Sequence, residues 1–109
     1  MATDYKVLGQ SAPSATTPTN LYTVPSATKA VVSTLFVCNR GAAAATFRIS
    51  VRPGGASQAN QHYIAYDISI DAKATIPFTT GITIGASDVL TVYASTGDMS
   101  FSAFGSEIT

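Results

Sequence analysis

The chain of 109 residues has few charged side chains, since Asp, Glu, Lys and Arg make up 11% of it. An average soluble domain has roughly 25%. Six basic and six acidic residues also cancel, which leaves no electrostatic basis for binding nucleic acid or an anionic membrane. An isolated domain ordinarily keeps more charge on its surface. We therefore expect part of this surface to be covered by protein, and we predict a homo-oligomer.

Residues that commonly carry chemistry are scarce as well. Cys38 is the only cysteine, which excludes an internal disulfide, and its apolar neighbours favour a buried small side chain. His62 is the only histidine and lies in no catalytic motif, so we interpret it as a structural residue in the middle of a strand. The chain has no zinc-ligand spacing and no calcium loop, and Gly54-Gly55 lacks the lysine of a phosphate-binding loop. The sequence predicts no enzyme activity, no cofactor and no metal.

A pair of carboxylates is one further catalytic arrangement that the sequence could contain. Asp67 and Asp71 are the closest acidic pair, and glycoside hydrolysis uses two carboxylates. Aspartates beside a strand end are more often turn formers or partners of arginines. We therefore interpret this pair as structural, with Arg48 or Arg52 as the predicted partner of the carboxylates.

Helical periodicity and long apolar runs are missing too. No window approaches the roughly 20 apolar residues of a membrane span, and the N-terminus lacks a signal-peptide pattern, which favours synthesis in the cytoplasm. The longest strand-forming stretch, residues 29–40, is rich in β-branched side chains and apolar on both faces. It predicts the central strand of a sheet. Strict alternation places Val32 and Phe36 on the same face of this strand, and Leu35 and Asn39 on the other.

Turn residues divide the rest of the chain into short strands, predicted at residues 4–9, 21–24, 46–52, 61–66, 75–80, 82–84, 89–94 and 99–104. Short connections predict hairpins at 41–45 and 95–98, and Pro77 favours an edge strand. The fold class is an all-β, antiparallel β-sandwich resembling a jelly roll, with eight or nine short strands in a single domain over residues 1–109. The predicted core consists of Val32, Phe36, Phe47, Ile49, Val51, Ile76, Phe78, Val92 and Phe101.

Two regions are candidates for contact with other molecules. The N-terminal 20 residues contain a short strand and a Pro-rich extended segment, which is either a surface loop or an arm lying on a neighbouring subunit. The predicted interface residues are Tyr5, Leu8, Pro13, Pro18 and Pro77. The predicted ligand-contact or host-contact loop contains Gly54, Gly55, Gln58 and Asn60, with Tyr63 after it.

Tyrosines are the residues that a ligand site on this chain would use. Exposed tyrosines stack on sugars or bury in subunit interfaces. Alternation places Tyr63 and Tyr66 on opposite faces of their strand, so that one of them belongs to the core. A saccharide platform built from both is therefore not the favoured interpretation.

Several stretches resemble a family of small virion proteins of tailed bacteriophages, common among phages of aquatic bacteria. They are LYTVPSATKAVVSTLFVCNRGAAAATFRISVRP, HYIAYDISI, GITIGASDVLTVYAS and FSAFGSE, and the resemblance extends from Tyr5 to Glu107. It implies an all-β structural component of the virion, present in many copies and without catalytic residues.

Two virion roles are consistent with this resemblance. As a capsid decoration or cement protein, the chain would form a homo-oligomer, with a trimer favoured, and would bind other virion proteins such as the major capsid protein. Alternatively, as a tail-fibre or baseplate module, it would present residues 53–60 to a host glycan. The absence of a shaft sequence favours decoration.

Overall fold

Nine strands account for most of the computed structural model, which describes residues 2–79 and 81–109. They are β1 (Thr3–Ser11), β2 (Thr19–Thr23), β3 (Lys29–Asn39), β4 (Ala45–Arg52), β5 (Tyr63–Ile70), β6 (Thr75–Phe78), β7 (Ile82–Ile84), β8 (Val89–Ala94) and β9 (Met99–Ile108). Two single-turn 3₁₀ helices, Pro53–Gly55 and Asn60–His62, lie between β4 and β5. Thr80, predicted as the end of the sixth strand, lies outside the described residues.

The strands form two antiparallel sheets packed face to face. One has the order β1-β9-β3-β6, with β7 also paired to β3, and the other has the order β2-β8-β4-β5. From the two ends of the chain inward, β1 pairs with β9 in the first sheet and β2 with β8 in the second. Further inward, β3 pairs with β6 and β7 in the first sheet and β4 with β5 in the second. This is the rolled ribbon of a jelly roll. The predicted all-β sandwich is confirmed, and β3 is the central strand that its composition predicted.

The core fills the space between the sheets. Of the predicted core residues, Val32, Phe47, Ile49, Val92 and Phe101 are buried, and Val51, Ile76 and Phe78 pack against them at the margin. Phe36 was assigned wrongly, since it is 38% exposed. The cause is a β-bulge in β3 between Val32 and Thr34, opposite Phe104 and Gly105 of β9. The extra residue, Ser33, reverses the alternation, so that Leu35 and Val37 point inward instead.

Both connections predicted as hairpins in fact cross from one sheet to the other. Residues 40–44 join β3 to β4, and residues 95–98 join β8 to β9, each pair being split between the two sheets. Connections of this length span the roughly 10 Å between packed sheets as readily as they close a hairpin. The two crossings are bonded together, because the Arg40 amide donates to the Asp98 carbonyl at 2.8 Å.

Asn39, buried at 1% exposure, holds this end of the sandwich. Its Nδ2 donates to the carbonyls of Ala43, Ile70 and Asp71 at 2.9, 3.3 and 3.2 Å. Its Oδ1 accepts the Gly41 amide at 2.9 Å. One side chain therefore satisfies backbone groups from two segments, the connection between β3 and β4 and the end of β5.

A second polar contact joins the sheets at the opposite end. The Tyr22 hydroxyl in β2 donates to Glu107 Oε2 in β9 at 2.5 Å, and Lys6 Nζ in β1 lies 2.9 Å from Glu107 Oε1. The hydrogen bonds from Tyr22 and Lys6 hold the pKa of Glu107 below its usual value, and burial together with the carboxylate raises the pKa of Tyr22. The contact therefore joins β1, β2 and β9 with an ionised carboxylate at neutral pH.

Candidate binding surfaces

The outer face of the five-stranded sheet is named here the uncharged face. It is bounded by Lys29, the first residue of β3, and by Arg40, which follows the strand. Between them, none of the outward side chains that the structure describes carries a charge. Register and burial place on this face Tyr5, Val7, Gln10, Val31, Ser33, Thr34, Phe36, Cys38, Thr75, Pro77, Thr83, Ser100, Ser102, Phe104 and Ser106.

Apolar side chains are prominent on this face. Tyr5 is 83% exposed and Val7 is 49% exposed. Together with Val31 and Phe104 they line a shallow depression of about 510 Å³, and Phe36 meets Phe104 edge to face with ring centroids 5.9 Å apart. Exposed aromatic and aliphatic side chains without charge resemble the central part of a protein–protein interface.

The predicted interface residues do not form one patch. Tyr5 and Pro77 lie on the uncharged face, whereas Leu8 packs against the core and Pro13 is buried within the chain. Pro18 is exposed next to Tyr93 on the other sheet. The segment after Leu8 is not uniformly exposed, because Pro13 is buried. Composition alone does not show which side chains of this N-terminal segment point outward, since that depends on the path of the segment across the end of the sandwich.

The outer face of the four-stranded sheet has a different character, and we name it the tyrosine–arginine face, formed by Arg48, Tyr63, Tyr66, Asp67 and Tyr93. The Arg48 guanidinium carbon lies 4.3 Å from the ring centroid of Tyr66 and 4.4 Å from that of Tyr93. Asp67 accepts two hydrogen bonds from Arg48, at 2.6 Å from Nε and 3.3 Å from Nη2. The predicted arginine partner of Asp67 is therefore Arg48, and this pairing fixes the guanidinium between the two rings.

Tyr63 and Tyr66 lie on the same face, contrary to the prediction, and neither belongs to the core. Their rings meet edge to face with centroids 4.8 Å apart, and Tyr66 is 54% exposed. The register of β5 against β4 shifts between Tyr63 and Ala65, so that Ile64 is an extra residue and the alternation reverses. A β-bulge therefore brings together two tyrosines that regular alternation would separate.

A shallow opening of about 270 Å³ is lined by Asn60, Tyr63 and Tyr66. The side chains behind it are fixed, because Tyr66 stacks on Arg48 and Arg48 is held by Asp67. Two rigid rings beside an exposed amide form a small platform with one apolar and one polar side.

The predicted contact loop is only partly at this opening. Asn60 and Tyr63 line it, while Gln58 Oε1 accepts the Ser50 hydroxyl at 2.7 Å beneath the loop. Gly54 and Gly55 lie at the far end of the loop. The Gly54 amide donates to Asp88 Oδ1 at 2.7 Å, and the Gly55 carbonyl accepts from Arg52 Nη1 at 3.3 Å. The loop is thus tied to the sheet along its length.

Two further predictions about single residues need correction. His62 is the last residue of the 3₁₀ turn Asn60–His62, before β5 begins, and its Nδ1 accepts the Ala59 amide at 3.1 Å. It is hydrogen-bonded, but it precedes β5 and does not lie in the middle of a strand. Cys38 is half-buried on the uncharged face rather than in the core, because the bulge at Ser33 turns it outward.

The described residues contain no metal centre and no membrane-spanning helix. Within residues 2–79 and 81–109, no three His, Cys, Asp or Glu side chains are grouped closely enough to hold a metal ion. In the same part of the chain, no helix is long and apolar enough to cross a membrane. No protein-family model and no curated protein matches the sequence.

Proposed function

We propose that this chain is a non-enzymatic structural protein of a bacteriophage virion, a capsid decoration or cement protein that attaches to the particle through its uncharged face. The observation that carries the proposal is the absence of charge among the described side chains of that face between Lys29 and Arg40. The resemblance to small virion proteins of tailed phages, extending from Tyr5 to Glu107, supports the same role.

The energetics of association favour this face over the opposite one. Burying an unpaired charge costs on the order of several kcal/mol unless an opposite charge on the partner pairs with it. The uncharged face has no charged side chain to bury, so its burial does not carry this cost. Its Tyr5 and Val7 side chains are already exposed, so covering them removes apolar area from water without rearrangement. The jelly-roll topology also occurs in viral capsid domains, which supports the role only by analogy.

Charge placed on the uncharged face should weaken attachment. Thr75 and Thr83 are exposed on this face, opposite Cys38 and Val31. We expect the T75K/T83K variant to fold normally but to bind particles lacking this protein at least about tenfold more weakly than the wild type, since one uncompensated charge costs more than 1.4 kcal/mol. Co-sedimentation of purified protein with such particles measures this.

The matched control adds the same two charges elsewhere. Ala56 and Ser69 are exposed in the loop after β4 and in β5 of the other sheet. The A56K/S69K variant should bind particles like the wild type. Equal binding by all three proteins, or failure of the wild type to bind any particle, contradicts the proposed attachment.

A second function is favoured by a separate observation, the rigid opening lined by Asn60, Tyr63 and Tyr66. In this alternative the chain is a tail-fibre or baseplate module that binds a host glycan. A pyranose ring would lie against the exposed Tyr66 ring, and the Asn60 amide would hydrogen-bond its hydroxyls. The jelly roll is also the fold of lectin domains.

Loss of the Tyr66 ring should separate this alternative from the first. If the chain binds a glycan here, the Y66A variant should lose binding to host cells and to glycan arrays at least about tenfold, because a buried aromatic contact is worth more than 1.4 kcal/mol. Tyr5 is the matched tyrosine, exposed on the uncharged face, so Y5A should bind glycans normally. A wild-type protein that binds particles but neither cells nor glycans excludes the alternative.

A further inference from the structure

The two edges of the five-stranded sheet are unequally protected against pairing with another strand. At one edge lie β6 and β7, of 4 and 3 residues, and Pro77 in β6 has no amide proton to donate. The other edge is β1, which has 9 residues and no proline. Its free side faces no other strand among the described residues. In natural sheets both edge strands are usually short or blocked against pairing. The long edge strand β1 is therefore available to pair with a strand of another chain.

The backbone groups on this free side follow from the pairing of β1 with β9. Ala2 and Thr109 exchange both backbone hydrogen bonds, at 3.2 and 2.9 Å, and the register runs without a break from Thr3 to Val7. In antiparallel pairs hydrogen-bonded and non-hydrogen-bonded positions alternate. Asp4 and Lys6 therefore bond to β9, whereas the amides and carbonyls of Thr3, Tyr5 and Val7 point away from it.

We infer that two copies of this chain pair antiparallel through their β1 strands, about a two-fold axis at Tyr5. Tyr5 then lies opposite Tyr5 of the second copy, and Thr3 opposite Val7 of the second copy. At each of these positions the two outward-pointing backbones can exchange hydrogen bonds. The pairing supplies a partner for the homo-oligomer expected from the low charge, as a dimer rather than the trimer that the decoration role favours.

Charge selects this register over its neighbours. With Tyr5 on the axis, Asp4 faces Lys6 of the second copy at a non-hydrogen-bonded position, where side chains approach most closely. An axis at Asp4 or at Lys6 would place that residue opposite its own copy, with like charges in contact. Asp4 is 69% exposed and Lys6 is 42% exposed, so both side chains are accessible to a second chain. Within its own chain Lys6 binds Glu107 at 2.9 Å and lies 3.9 Å from Asp4, so its pairing with Asp4 of the second copy adds to these contacts.

The resulting dimer joins both five-stranded sheets into one. A two-fold axis perpendicular to the sheet keeps the two uncharged faces on the same side, with the Tyr5 side chains adjacent at the centre. The apolar surface available to a capsid is thereby doubled. Because strand pairing alone covers little area, we expect a dimer that dissociates on dilution and becomes stable when several copies are held on one particle.

The test is sedimentation velocity of the full-length protein over a concentration series. We expect the wild type to change from monomer to dimer as concentration rises. Y5P should remain monomeric, because proline removes an amide that points away from β9 and leaves the internal ladder intact. Y5A, which keeps that amide, should still dimerise, and thermal unfolding checks that both variants are folded.

Charge variants test the register. D4K and K6D each place like charges opposite one another, so each should weaken association roughly tenfold or more. An equimolar mixture of D4K and K6D should restore dimerisation, since every facing pair in the mixed dimer has opposite signs.

Contrary outcomes are equally definite. A wild type that stays monomeric, forms a trimer, or associates equally well as Y5P overturns the pairing, and so does a mixture that fails to associate better than its components. The solution measurement is independent of particle binding, so a monomer that still decorates particles overturns this inference and leaves the proposed function standing.

Discussion

Replacing Gly105 by alanine should destabilise the protein by more than the roughly 1–3 kcal/mol of ordinary overpacking. A Cβ at this position would lie 1.9 Å from the Val31 carbonyl oxygen, 2.9 Å from its carbon and 3.1 Å from the Ser33 nitrogen. These are backbone atoms of the central strand, so no side-chain rotation relieves the contact. The β3–β9 ladder has to separate at the bulge, and we expect the Tm to fall by about 10–20 °C.

Gly97 provides the control. It lies in the connection between β8 and β9, and no described heavy atom lies within 4 Å of the place its Cβ would take. G97A should unfold within about 0.5 kcal/mol of the wild type. Chemical denaturation of both variants measures the difference, and a G105A protein as stable as G97A would show that β3 and β9 do not approach closely at the bulge.

Replacing Asn39 by leucine should cost about 3–5 kcal/mol, because it leaves the buried Ile70 carbonyl and the partly buried carbonyls of Ala43 and Asp71 without their donor. Leucine has the same branched shape but is larger than asparagine, so overpacking adds to the cost of the lost hydrogen bonds. The free energy of unfolding of N39L against the wild type measures this cost. A surface asparagine, as in N60A, should give a change within about 0.5 kcal/mol.

The isosteric variant N39D adds a test by pH. Its second carboxyl oxygen would face three carbonyl oxygens, which raises the folded-state pKa of the introduced carboxyl above its unfolded value. A raised acid pKa gives stability that is present below the unfolded pKa and lost as pH rises through the folded pKa. N39D should therefore approach the wild type as pH falls from 7 towards 4, whereas the deficit of N39L should change little. A pH-independent deficit for N39D would contradict the assigned contacts.

The sequence predicted the strands well because each carries a local signal. Residues 29–40 were expected as the central strand, and β3 ends one residue earlier, at Asn39. The strand predicted from residue 99 begins there, and Phe101, a predicted core residue, is buried in it. β-Branched and aromatic side chains bounded by turn residues contain enough information to predict a strand without its partners.

The faces of the strands were predicted less well, because a bulge depends on the partner strand. Nothing in the local sequence marks Ser33 as the extra residue of a β-bulge. The bulge can form because the partner strand has Gly105 across the ladder, where a Cβ would collide with the β3 backbone. A single extra residue reverses every later assignment, as it did for Phe36 and Cys38. The same effect at Ile64 concealed the contact between Tyr63 and Tyr66.

The two candidate binding surfaces could therefore be predicted from the sequence only in part. Low charge led to the prediction that part of the surface is covered, but it could not locate the uncharged face, which exists only because five strands distant in sequence lie side by side. A signal for the tyrosine–arginine face was present in the clean alternation of β4, which put Arg48 outward. That signal could not show which aromatic rings lie beside it, since Tyr66 and Tyr93 come from two other strands.

The position of β9 between β1 and β3 sets the order of events during synthesis. Both neighbours are translated long before Met99–Ile108, so they leave the ribosome without the strand that joins them. At roughly 5–20 residues per second, the apolar β3 waits several seconds for its partner. The five-stranded sheet, and with it the uncharged face, therefore forms only after β9 has been translated.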